Sequence, residues 1–233
     1  MPEGLRVYAI GDIHGRLDLL TQMARQIADD LVATPDCTPQ GVLLGDYIDR
    51  GPQSAAVLEY LSSERFPAPF TALRGNHEHM LLHFLDNARF MEFWRSYGGI
   101  ETVHSFGIDP QRARDPQHFE EARQQLIAAL PAASLRFVET TTFRYALGDY
   151  FFCHAGVRPG VQLAAQKEED LISVREPFIS SRADHGKIIV HGHTPVERPE
   201  VHANRINIDT GAYMTGTLTC LVLEGSMRRF LCT

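Results

Sequence analysis

Short apolar runs alternate with amphipathic stretches through the first third of the chain. Arg6 to Ile10 reads as a strand, and the following RLDLLTQMARQIADDL carries Leu17, Leu20, Met23, Ile27 and Leu31 at close to helical spacing. GVLLGDYIDRG repeats the pattern, with Val42 to Leu44 as strand and Gly45 to Gly51 as loop, before Pro52 opens a helix over SAAVLEYL. A third unit, FTALRGNHEHMLLHFL, places Phe70 to Leu73 as strand ahead of a polar turn and a helix. Strand, polar turn and helix in succession predict a mainly parallel sheet whose strand ends carry the functional side chains.

From Asp86 to about Pro131 the pattern turns mostly helical and rich in Arg, Gln, Glu and aromatic residues. It reads as a helical excursion over one edge of the site, within a single domain spanning 1–233. Strands resume in FRYALGDYFFCHAGV, where Gly148 marks a hairpin turn, and continue in KIIVHGHT, RINIDT and TLTCLVLEG. A helix-punctuated first half and a strand-heavy second half predict an α/β fold of two packed sheets with helices outside.

Composition changes this picture little. The length of 233 residues suits one domain with a substantial core. Cys37, Cys153, Cys220 and Cys232 show no CxxC spacing, so neither a zinc ribbon nor a disulfide framework is indicated. With no apolar run of membrane-spanning length and no leader-like start, the expectation is a cytoplasmic protein without a membrane partner. A formal charge of −7 argues against a general grip on nucleic acid, which needs a basic surface, but leaves a phosphorylated substrate open.

Candidate chemistry gathers just after the apolar strands, at Asp12, His14, Asp46, Asp49, Asn76, His77, His154, His191 and His193. In YAIGDIHG an extended backbone would point Asp12 and His14 to one side, giving half a metal site. Carboxylate, imidazole and amide donors without thiolate suit Mn, Fe or Zn, and there are enough of them for two ions. Cys153 should face away from its neighbour His154 and is excluded as a ligand. His79 and His83 lie at helical spacing and read as surface or packing residues, and Trp94 reads as core.

Five motifs in order, GDIHG, GDYIDRG, LRGNHE, HAG and HGH, resemble the phosphoprotein phosphatase family of dinuclear metallophosphatases, within the calcineurin-like metallophosphoesterase superfamily. The smaller phage and bacterial serine/threonine phosphatases are nearest in length. The likeness extends through WRSYGGIETVHSFG, EDLISVREPF and GKIIVHGHTPVERP. It implies a four-layer α/β/β/α sandwich and two divalent ions, Mn2+ first and Fe or Zn next. By motif it assigns Asp12 and His14 to one metal, Asp46 as bridging ligand, and Asn76, His154 and His193 to the other. His77 matches the family's proton donor and Asp49 the acid that orients it. Arg50, Arg74 and Arg175 match its phosphate-binding arginines.

The implied reaction is hydrolysis of phosphoserine or phosphothreonine in a protein or peptide, with phosphotyrosine a further candidate. A hydroxide bridging cations roughly 3.5 to 4 Å apart would attack phosphorus directly. Two departures stand out: Ser173 replaces an aromatic ahead of Arg175, and AYMTG around Met214 and Thr215 replaces a glycine pair. Two rivals remain: a symmetrical diadenosine tetraphosphate hydrolase, whose relatives read GDLVARG where this chain has GDYIDRG, and a non-catalytic phosphate-binding protein on the same fold. Asp49 favours the monoesterase over the first. The complete ligand and arginine set argues against the second. Oligomeric state has no sequence signal.

Overall fold

The computed structural model describes all 233 residues. Strand β1 (Leu5–Ile10) divides its side chains between two cores, with Tyr8 and Ile10 on the helix side and Val7 and Ala9 between the sheets. That period-two division is what a strand buried on both faces requires. Helix α1 (Leu17–Ala33) turns Leu20, Met23 and Ile27 into the helix-side core. Then follow β2 (Thr38–Leu43), α2 (Ser54–Leu61), β3 (Phe70–Ala72) and α3 (Asn76–Asp86), and β1, β2 and β3 pair in parallel.

Short helices fill the next segment: α4 (Met91–Trp94), α5 (Gly99–Ser105), α6 (Pro110–Arg114), α7 (Phe119–Ala129) and α8 (Ala132–Thr140). The helical run therefore passes the expected end at Pro131. This proline is the residue just before α8, where its missing N–H and fixed φ do no harm. Val103, Phe119, Leu126 and Val138 join the same core as α1, so these helices are part of the sandwich.

Strands β4 (Arg144–Leu147) and β5 (Tyr150–Cys153) form the hairpin, with Gly148 at φ +55° in its turn. The chain continues through α9 (Glu168–Ser173), β6 (Ile188–His191), β7 (Glu200–Val201), β8 (Arg205–Asn207), α10 (Ala212–Thr215), β9 (Thr219–Glu224) and β10 (Met227–Cys232). Two five-stranded mixed sheets result, in the orders β10-β9-β1-β2-β3 and β4-β5-β6-β8-β7. Val7, Ala9 and Val42 of the first meet Phe152, Val190 and Ile206 of the second, and the outer face of the second is closed by α9 through Leu171. No helix is long and apolar enough to cross a membrane.

A partly buried ion network ties β1 to α1 and β10. Asp30 accepts from Tyr8 Oη at 2.6 Å, from Arg229 at 2.5 Å and from Arg6 at 3.3 Å, and Arg6 also pairs with Glu224. Burial raises the Asp30 pKa, but the Tyr8 and Arg229 hydrogen bonds outweigh it and the net shift is downward. The Asp30 contribution is thus complete above the unfolded pKa near ~3.9 and is lost as pH falls through the lower folded value. Asp30→Asn should cost about 1 to 3 kcal/mol at pH 7, and the wild-type advantage in urea melts should shrink below pH ~3.9.

Candidate active site

The parallel strands of both sheets end on one rim, and the polar motifs follow those ends. All five non-glycine residues with positive φ lie there: His14 (46°), Asp46 (53°), Asp49 (72°), Arg50 (66°) and His193 (65°). Such angles are costly for residues with a Cβ and concentrate where function demands a particular direction. They also correct the extended geometry expected for GDIHG. Strand β1 stops at Ile10, and His14 reaches the site from a left-handed turn held by Ile13 and His14 N–H donation to Asp46 O.

Asp46 is central. Its Oδ2 lies 3.5 Å from His14 Nε2, 3.3 Å from His154 Nε2 and 3.6 Å from His77 Nε2. One donor atom each from His14, Asp46 and His77 falls within 4.8 Å of the others, as do those of Asp46, His154 and His193. Asn76 Oδ1 is 3.1 Å from His154 Nε2, and Asp12 accepts the His193 N–H at 3.1 Å. Two glycines make room for the acids: a Cβ at Gly192 would strike Asp12 Oδ1, and one at Gly75 would strike Asp46 Oδ1.

These donors fit divalent cations. His14 Nδ1 donates to Ile48 O at 2.8 Å and His154 Nδ1 to Leu44 O at 3.0 Å, which turns each Nε2 lone pair toward Asp46. His77 Nε2 and His193 Nε2 are buried without a protein partner. Burial holds His14 neutral, with its pKa pushed down to about 3. Burial and the adjacent Asp209 push Asp12 well above the usual carboxylate range. Burial lowers the His154 pKa, but the Asp46 and Asp12 charges outweigh it and push the imidazole up to about 9, so the acids hold a proton at the place a cation would take. Cys153 lies in the outer core of the second sheet, away from this cluster.

His77 and Asp49 are fully buried, and His77 Nδ1 donates to Asp49 Oδ2 at 2.6 Å. Burial lowers the His77 pKa, but the Asp46 charge and the Asp49 hydrogen bond outweigh it and the net shift is upward. Asp49 is itself fixed by Trp94 Nε1 at 2.6 Å and Thr102 Oγ1 at 2.5 Å. Trp94 therefore does more than fill the core, and no local signal links it to a residue so far back in the chain. Trp94→Phe should lower turnover of an alkyl phosphate about tenfold, a small part of the full acid–base effect; an unchanged rate would reduce the indole to packing.

The three arginines part company. Arg50 reaches His14 Nε2 at 3.2 Å and stands over the Tyr213 ring at 4.9 Å. Arg175 donates to His193 O at 3.2 Å and lines a cleft of about 430 Å³ with Asn76 and His193. Arg74 instead donates to the Glu139 and Val138 carbonyls at 2.8 and 3.2 Å and to Thr141 Oγ1 at 2.9 Å. Its guanidinium is engaged by the end of α8. The Glu139 carbonyl helps hold it there, on a helix beyond the helical stretch that the sequence predicts.

Other site residues had weak sequence signals. Glu78 accepts from the N–H groups of Asp46, Tyr47 and Gly75 at 2.7 to 2.9 Å, fastening the GDYIDRG loop to GNHE. Asp209 follows β8 as the other acids follow their strands, and is buried beside Asp12. Tyr213, in the divergent AYMTG loop, packs 5.3 Å from the His14 ring. His191 is buried against Phe178 and pushed down to about 3 by burial.

An inter-sheet rim that gathers acids, histidines and an amide around one shared carboxylate defines a metal-dependent phosphoesterase. Residues 5–216 match the calcineurin-like phosphoesterase family, and the chain belongs to it. Serine/threonine-protein phosphatase 1 of Salmonella typhimurium is 33% identical over 224 residues, covering 91% of this chain and 89% of the relative. The asymmetrical bis(5'-nucleosyl)-tetraphosphatase of Geobacillus sp. is 27% identical over 235 residues, covering 92% and 89%. The crystal structure of a cold-active protein-tyrosine phosphatase from a psychrophilic Shewanella superposes with a TM-score of 0.60 at 18% identity, over 99% of this chain and 80% of that one. The nucleotide-cleaving relative is asymmetrical, so the symmetrical rival is not the one favoured.

Proposed function

We propose that the protein removes phosphate from phosphoserine and phosphothreonine in proteins or peptides. The observation that carries this reading is the buried Asp49 and His77 pair at 2.6 Å. An alkyl phosphate departs as a strongly basic alkoxide and needs a proton. A phosphoanhydride has a good leaving group and does not. His77, held in one tautomer and with a raised pKa, suits that donation from Nε2.

Asp12, His14, Asp46, Asn76, His154 and His193 would hold two divalent ions, Mn2+ first, which when bound supply charge for the phosphoryl oxygens and acidify water. Arg50 and Arg175 would grip the remaining oxygens through charge-assisted hydrogen bonds and keep the ester in line. Water is the nucleophile in this reading. Cys153 is turned into the outer core, and the Ser173 hydroxyl is spent on Glu169 O at 2.6 Å.

The second reading, asymmetrical dinucleotide tetraphosphate hydrolysis, is favoured by the Geobacillus relative. Metal-stripped protein assayed with and without Mn2+, on a phosphoserine peptide and on diadenosine tetraphosphate, separates the two. Manganese-dependent phosphate release from the peptide alone is expected. Cleavage of the nucleotide alone to ATP and AMP would replace the first reading by the second.

A further inference from the structure

Helix α3 carries a second histidine pair, outside the catalytic cluster. His79 and His83 stand one helical turn apart, their rings at 4.5 Å and 84°, with the two Nε2 atoms facing each other at 3.0 Å. Both line the cleft that ends at Asn76, Arg175 and His193, and Glu169 of α9 lines it too. His83 is stacked on Phe90 with ring centroids 5.1 Å apart, which fixes its plane.

A cation bound by two imidazoles at ~2.0 to 2.1 Å, at angles from square to tetrahedral, separates their nitrogens by roughly 2.9 to 3.4 Å. The observed 3.0 Å falls within that window. Histidines at i and i+4 on one helix face are a recurrent way to present two nitrogens to one ion. The cleft leaves the remaining positions to water or to the Glu169 carboxylate.

We propose that His79 and His83 form a third cation site on the rim of the substrate cleft. It would take a borderline divalent ion of the nickel, copper or zinc class through two nitrogen ligands, without the bridging carboxylate that the catalytic cluster offers. The proposal does not depend on which phosphate ester the enzyme cleaves.

Ni2+ is the probe. Manganese-loaded protein is dialysed against Ni2+, and both metals are counted per chain by mass spectrometry, for wild type, His79→Gln, His83→Gln and the control His118→Gln at an exposed histidine elsewhere. One Ni2+ beyond the manganese complement is expected in wild type and the control, with at least tenfold weaker binding in either cleft variant. Nickel that only replaces manganese at constant total metal would overturn the proposal, leaving the pair as an N–H to N hydrogen bond. Extra nickel retained by both cleft variants would overturn it equally. Both side chains reach the surface, so circular dichroism should confirm that the variants fold.

Discussion

Asp46→Asn is expected to lower the rate by at least ~1,000-fold on every phosphate ester and to reduce bound manganese from two ions per chain to one or none. Asp46 Oδ2 is the point on which His14, His77 and His154 converge at 3.3 to 3.6 Å. Asparagine keeps the shape and can still accept the His77 N–H that Oδ1 accepts at 3.2 Å. It loses the charge, and its amide can present N–H where a shared cation needs an oxygen. Metal binding to the folded state alone raises stability, by about 2.7 kcal/mol at a hundredfold excess over Kd. Manganese should therefore raise the Tm of the wild type relative to the EDTA-treated protein, and do so far less in the variant. Retention of two ions by Asp46→Asn would remove Asp46 from the shared position.

Asp49→Asn should separate substrates by leaving group. The carboxylate takes His77 Nδ1–H and Trp94 Nε1–H on Oδ2 and the Thr102 hydroxyl on Oδ1. An asparagine oxygen can hold the first two donors, so the imidazole keeps its place while losing its counter-charge. His77 then becomes a weaker proton holder, and the alkaline limb of the kcat profile moves to lower pH. Hydrolysis of a phosphoserine peptide should fall by about 100- to 10,000-fold, the usual range for general acid–base catalysis, with p-nitrophenyl phosphate losing less than about tenfold. Equal losses on both would mean that the pair positions substrate without donating a proton.

The legible part of this protein is the part written in contiguous residues. Acids and histidines placed directly after apolar runs identify the rim, because parallel strands must all end there. The arrangement within each motif was less visible. GDIHG reads as a strand extension, yet His14 is left-handed, a choice made by hydrogen bonds to Asp46 that the octapeptide does not contain. Trp94 and Thr102 meet Asp49 only through α4 and α5, so no spacing rule could reveal them. Arg74 has the right motif, but its direction is set by the end of α8, a helix hidden behind Pro131. Strand β10 escaped because Arg228 and Arg229 mask an edge strand that pairs only with β9.

The rim draws Asp12, His14 and Asp46 from loops of one sheet, Asn76 from the start of α3 beside it, and His154 and His193 from loops of the other sheet. Its two halves are joined beneath by the side chains of Val7, Ala9, Val190 and Ile206. The thickness of that apolar layer is therefore also the gauge that spaces the ligands, and close-packed interiors transmit small changes in volume as strain. Trimming a methyl group deep in the sandwich would act on cation affinity as a change of tool setting acts on the grip of a pair of tongs. Cations gripped at the rim would in turn pin the sheets together, so filling the rim should be felt as thermal resilience in the layer beneath it.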